Sequence, residues 1–136
     1  MSEPIRVAVL GAHGRMGATV CAAVQAAPGF ELVAAIDVDG DISELVSAGA
    51  EVAVDFTVPD SVMNNLEFLT VNGIHAVVGT SGFDSQRITK VQELVAAGSS
   101  NVLIAPNFGI GAVLMMQFAK TAAAYFESAE IIELHH

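Results

Sequence analysis

"VAVLGAHGRMGATV", residues Val7–Val20, sets a run of apolar residues directly against three evenly spaced glycines, Gly11, Gly14 and Gly17. The apolar run closing at Leu10 reads as a buried strand and the segment from Arg15 onward as a helix, so the glycines fall at the turn between them. Such a turn gathers backbone N–H groups and the positive end of a helix dipole at one point, which attracts phosphate. The spacing is G-x-x-G-x-x-G, one residue longer than the dinucleotide fingerprint G-x-G-x-x-G. Gly11 suits a tight turn, Gly14 the close approach of a pyrophosphate, and Gly17 the packing of helix on strand. Taken alone, the glycines equally suit an ordinary strand-to-helix turn.

The pattern outside this stretch repeats its theme. Short apolar runs at Ile5–Leu10, Glu31–Asp37, Glu51–Phe56, Ile74–Gly79, Asn101–Pro106 and Ala129–Leu134 alternate with helix-like segments near 15–27, 41–48, 60–72, 84–97 and 109–126. Most of the runs are continuous rather than alternating, as expected of strands covered on both faces. Strand–helix alternation predicts an α/β fold: a doubly wound, Rossmann-like parallel sheet with helices on both faces. Asp60 and Asp84 stand where helix N-caps are expected, and Gly29 and Gly98 where helices stop. The last helix, "GIGAVLMMQFAKTAAAYFE", is apolar almost all round. It reads as a core helix, or as one covered by a partner subunit or a further domain, with Met115 and Met116 as packing residues.

The second strand adds weight to the glycine turn. Asp37 stands at its tip, twenty residues past Gly17, where a carboxylate holds an adenosine ribose hydroxyl. Asp37 repels a 2′-phosphate and Arg15 offers it a cation, so NADH is favoured and NADPH stays open. His13 lies over the coenzyme or faces solvent. Three more loops follow later strands, "DFT" at Asp55–Thr57, "GTSGF" at Gly79–Phe83 and "APNFGIG" at Ala105–Gly111. All fall at carboxyl ends of strands, the face on which open α/β sheets bind ligands.

Bulk properties narrow the classes. The 136 residues suffice for one compact domain, and 53% apolar with 15% charged residues argues for a packed core. A net charge of −10 disfavours nucleic acid and anionic membranes, both of which bind through Lys and Arg. Cys21 is the single cysteine, so neither an intrachain disulfide nor a cysteine metal cluster is expected and a reducing, cytoplasmic setting fits. The stretch Leu94–Ala119 lacks charge, but its internal Ser, Asn, Pro and Gly residues break it into two buried elements joined by a loop rather than a membrane span. No export signal is visible.

In order, "GAHGRMG", "DFT", "GTSGF", "APNFGIGA" and the terminal "ELHH" resemble dihydrodipicolinate reductase, an enzyme family of diaminopimelate and lysine biosynthesis, in its shorter actinobacterial versions. The resemblance implies a dinucleotide-binding domain over residues 1–128 and, from 129–136, the start of a mixed α/β substrate and tetramerisation domain. It implies that Gly11, Ala12, His13, Gly14, Arg15 and Met16 cradle the pyrophosphate of NADH or NADPH while Asp37 holds the ribose. Phe56 with Gly79, Thr80 and Ser81 borders the nicotinamide, and Ala105, Pro106, Asn107 and Phe108 form the opposite wall. His135 is the implied proton donor and His136 a substrate contact. The implied partner is a small heterocyclic dicarboxylate, the implied assembly of the full-length protein a homotetramer. No metal site is expected, since adjacent histidines on a strand point to opposite faces.

The family's Lys four residues beyond the first His, and its D-A-P-S-G-T-A stretch, are absent, so the chain is expected to be an amino-terminal, coenzyme-binding and by itself inactive portion. "SAEIIEL" before the two histidines reads as a strand leading into the family motif rather than the flank of a tag. A non-catalytic NAD(H)-sensing module and another Rossmann oxidoreductase, such as an amino-acid dehydrogenase, are the alternatives.

Overall fold

The computed structural model describes residues 3–105 and 107–132. They fall into two compact units, Met1–Pro106 and Asn107–His136.

The first unit holds a five-stranded, wholly parallel sheet built from β1 (Ile5–Leu10), β2 (Phe30–Ile36), β3 (Val52–Asp55), β4 (His75–Val78) and β5 (Val102–Ile104), in the order β2-β1-β3-β4-β5. Four helices connect them: α1 (Arg15–Ala26), α2 (Glu44–Ser47), α3 (Pro59–Val71) and α4 (Ser85–Ala97). The doubly wound architecture follows from side-chain alternation along continuous apolar strands. Ala8, Leu10, Ala53, Ala76 and Val78 project from one face into a cluster with Leu45 of α2, Val62, Leu66 and Leu69 of α3 and Val91 of α4, all buried. On the other face Val7, Val52, Val54 and Val77 share a groove with Ala23 and Val24 of α1 and with Ala27, which caps its end. The β1–β2 register slips by one residue between Val7 and Ala8, leaving Val33 as the extra residue of β2.

Chain order fixes where a ligand can enter. From β1 the chain moves one way to β2, then crosses back to β3 and continues to β4 and β5. Loops after β1 and β3 therefore diverge, opening a crevice between the carboxyl ends of those two strands.

Three expectations need correction. Asp60 lies inside the first turn of α3; Val58 caps that helix and Pro59 opens it, because proline has no N–H to leave unsatisfied there. Asp84 does cap α4, accepting the Arg87 N–H at 2.8 Å. Ala129–Ile132 has no regular structure, since a strand persists only against a neighbour and none pairs with these residues among those described; Glu133 and Leu134 lie outside them. The second unit comprises α5 (Ile110–Ala122), a 3-10 turn at Ala123–Tyr125 and the following tail. Helix α5 contains no buried residue, contrary to the reading of two buried elements across Leu94–Ala119, because one helix and one turn provide too little surface to enclose it. No helix among the described residues is long and apolar enough to cross a membrane.

Candidate functional site

The glycine turn sits at the crevice. Gly11 adopts φ +76°, the left-handed region that favours glycine, and a Cβ there would stand 2.7 Å from the Phe56 carbonyl oxygen and 3.2 Å from Thr57 N. The turns after β1 and β3 thus pass each other with no room for a side chain. Gly17 is tighter still. Its Cβ would collide with the Gly11 carbonyl oxygen and lie 2.7 Å from the carbon, so at this point α1 is seated directly on the turn's own backbone. At Gly14 the only near atom is the Gly11 oxygen at 3.3 Å, and the residue faces a cavity.

Most of the turn's amides have internal partners. Gly11 N and Ala12 N donate to Ile36 O at 2.9 and 3.1 Å, Gly14 N donates to Gly11 O at 3.1 Å, and His13 N donates to Asp37 Oδ2 at 2.7 Å. The N–H groups left for a ligand are those of the first turn of α1, at Arg15, Met16 and Gly17, which have no acceptor within their own helix. Ala12 is buried, whereas the side chains of His13, Arg15 and Met16 are exposed.

Asp37 has a structural role that spacing does not reveal. Its Oδ1 accepts from Val38 N at 2.8 Å while Oδ2 accepts from His13 N and lies 3.8 Å from His13 Nδ1. The Val38 amide, then the His13 amide, and in smaller measure the His13 ring hold its carboxyl below the ordinary value. Two backbone donors leave lone pairs on each oxygen for a further donor, such as a ribose hydroxyl.

A cavity of about 450 Å³ extends from this turn, lined by Leu10, Gly11, Gly14, Ile36 and Asp37 on one side and Thr57, Val58, Ser61 and Asn65 on the other. Ser61 and Asn65, one turn apart on α3, present the same face to it. Of this second wall, motif matching reaches Thr57, within "DFT", and misses Val58, Ser61 and Asn65. The only signal is "DFTVPDSVMNN", an acid at the end of an apolar strand followed by polar residues at helical spacing.

Beside it, three loop ends are pinned by backbone bonds: Phe56 N to Leu10 O at 3.0 Å, Gly79 N to Asp55 O at 2.9 Å and Ala105 N to Val78 O at 2.9 Å. A Cβ on Gly79 would overlap the Phe56 ring, so that ring lies directly on the start of the next loop. Thr80 is buried and Ser81 exposed. Phe56, Gly79, Thr80 and Ala105 are therefore brought to one edge of the sheet. Asn107 and Phe108 belong to the second unit, where Asn107 Oδ1 accepts Gly109 N at 2.7 Å and turns the chain into α5. Pro106, His135 and His136 lie outside the described residues.

A parallel sheet with a topological switch, a glycine turn that excludes side chains there, and a carboxylate closing one end of the crevice define a Rossmann-like dinucleotide-binding domain. The family described as dihydrodipicolinate reductase, N-terminus, matches residues 5–108, and the chain belongs to that family. It contains the family's NAD(P)H-binding region. It is similar to the 4-hydroxy-tetrahydrodipicolinate reductases of Nocardia farcinica, 57% identical over 133 residues, and Corynebacterium efficiens, 59% identical over 133 residues. In both cases the match covers 97% of this chain and 54% of the relative, so the chain spans about half their length. A dipicolinate-bound dihydrodipicolinate reductase from Paenisporosarcina sp. TG-14 superimposes with a TM-score of 0.77 at 33% identity, over 90% of this chain and 55% of that one.

Proposed function

We propose that this chain is the coenzyme-binding part of a reductase that transfers hydride from NADH or NADPH to the unsaturated heterocyclic dicarboxylate of the dihydrodipicolinate step in lysine biosynthesis. The observation that carries this reading is the meeting of Gly11 and Phe56 at the switch point, with a cavity leading from it to Asp37, in a chain of this family.

The Arg15 and Met16 N–H groups bind the pyrophosphate, while Gly11, Ala12, His13 and Gly14 shape the turn beneath it. Asp37 accepts the adenosine ribose hydroxyl and, as an anion beside the 2′ position, disfavours NADPH. Phe56 and Gly79–Ser81 border the nicotinamide, and Ala105–Phe108 is the family motif assigned to the same ligand. When bound, the coenzyme supplies the hydride. His135 delivers the proton that completes reduction, a task for which an imidazole titrating near neutral pH is suited, and His136 contacts substrate. Residues 129–136 open the substrate domain, and the full-length enzyme is a cytoplasmic homotetramer.

Replacing Gly14 by Val directs a branched side chain toward the pyrophosphate. Calorimetry with NADH is expected to show a loss of about 2 kcal/mol, the scale of severe overpacking, and NADPH should bind more weakly than NADH to the parent chain. Unchanged NADH affinity in a folded Gly14→Val variant would remove the turn from the site.

A further inference from the structure

Asp55, the last residue of β3, has no solvent exposure, and among the described residues no cation pairs with it. A buried carboxylate without a cation is costly, and an apolar residue would end an apolar strand at no such cost. Its surroundings account for it. Oδ1 accepts Thr57 N at 2.8 Å and Thr57 Oγ1 at 2.6 Å, Oδ2 accepts Asn65 Nδ2 at 2.9 Å, and Thr80 Oγ1 stands 3.3 Å from Oδ1.

These donors come from three separate elements: the turn after β3, helix α3 and the loop after β4. The Thr57 hydroxyl gives its one proton to Asp55, so its lone pairs face Asn65 Nδ2 at 3.3 Å. The single proton of the Thr80 hydroxyl is shared between Asp55 Oδ1 and Thr57 O, the latter at 3.1 Å. Phe56 is thereby caught between two locked neighbours, with its ring over Gly79.

We propose that Asp55 is a positioning residue of the coenzyme site: by joining Thr57, Asn65 and Thr80 it fixes Phe56 and the Gly79–Thr80 turn at the place where the nicotinamide half is received. This rests on the reading above that Phe56 and Gly79–Ser81 border the nicotinamide. Asp55 itself touches neither coenzyme nor substrate. A neutral amide in its place has one accepting oxygen where the carboxyl group has two, so the donors of Thr57, Asn65 and Thr80 are no longer all satisfied and the turn loses its fixed geometry without a change in volume.

The test is calorimetric titration of the 136-residue chain with NADH and with ADP-ribose, which lacks the nicotinamide, alongside thermal unfolding. Asp55→Asn is expected to weaken NADH about tenfold and ADP-ribose by less than about threefold, on the scale of one disrupted buried hydrogen-bond network. Asp55→Ala, which removes every acceptor of the network, is expected to weaken NADH at least as much as Asp55→Asn, again with ADP-ribose within about threefold of the parent. Equal losses for both ligands, or unchanged NADH affinity in folded Asp55→Asn or Asp55→Ala, overturns the proposal. If Asp55→Asn does not fold, Asp55→Ala decides alone, and its unfolding also overturns the proposal by making the network a requirement of folding only. Phe56→Ala separates the two readings. Should it leave NADH and ADP-ribose binding unchanged, the nicotinamide assignment fails; should it weaken NADH selectively while Asp55→Asn does not, only the role of Asp55 fails.

Discussion

A methyl group on Gly17 has no place to go, because the carbonyl of Gly11 occupies the space and both belong to backbone. Gly17→Ala is expected to lower unfolding free energy by about 2 kcal/mol, read as a lower midpoint in urea, whereas Gly14→Ala, whose Cβ meets one oxygen at 3.3 Å, should change stability little. Equal evenly spaced letters in the sequence thus hide unequal sites: Gly11 is required by its φ, Gly17 by packing and Gly14 by the ligand alone. Asp37 provides a second residue-scale test. Its carboxyl is held low by the amides of Val38 and His13, so the folded state binds the proton less readily than the unfolded chain. The resulting stabilisation is complete above about pH 4, the unfolded value, and is lost as pH falls through the lower folded value. Acid titration of stability should show the advantage of the parent over Asp37→Asn shrinking in that window; an advantage constant from pH 7 to 3 would contradict it.

Helix boundaries follow from individual caps. Asp84 satisfies an otherwise unpaired N–H of α4, and Asp84→Ala is expected to cost about 1 kcal/mol, measurable as a fall in melting temperature. Asp60→Ala should cost less, because that residue lies in the helix proper and contributes only its charge near the positive end. Asp60 follows Pro59 and Asp84 follows the Gly82–Phe83 pair, and local sequence treats both acids as helix openers. The difference arises from Pro59, which begins α3 a residue early. The expected strands near Glu31–Asp37, Glu51–Phe56 and Ile74–Gly79 were legible to within about a residue at each end, since a continuous apolar run bounded by Gly, Asp or Asn has few other ways to bury itself. The stretch Ala129–Ile132 has the same composition without being a strand, because propensity needs a paired edge to act upon.

For the whole molecule, net charge is the property that no single contact supplies. A chain at −10 repels a doubly anionic coenzyme at long range, while Arg15 and the α1 amides attract it only at contact. Association of NADH measured by stopped flow should therefore quicken as salt rises from low to physiological ionic strength; a fall would show local attraction governing the encounter.

The sequence by itself determined the strand–helix alternation, the parallel sheet and the glycine turn with its acid at the next strand tip, because apolar periodicity and missing side chains are local properties. Tertiary structure alone decided the strand order that brings Gly11 against Phe56, the second wall of the cavity on α3 and the burial of Asp55. Those depend on which distant segments face each other, and no spacing along the chain encodes the register at which two turns 45 residues apart cross, from Gly11 to Phe56.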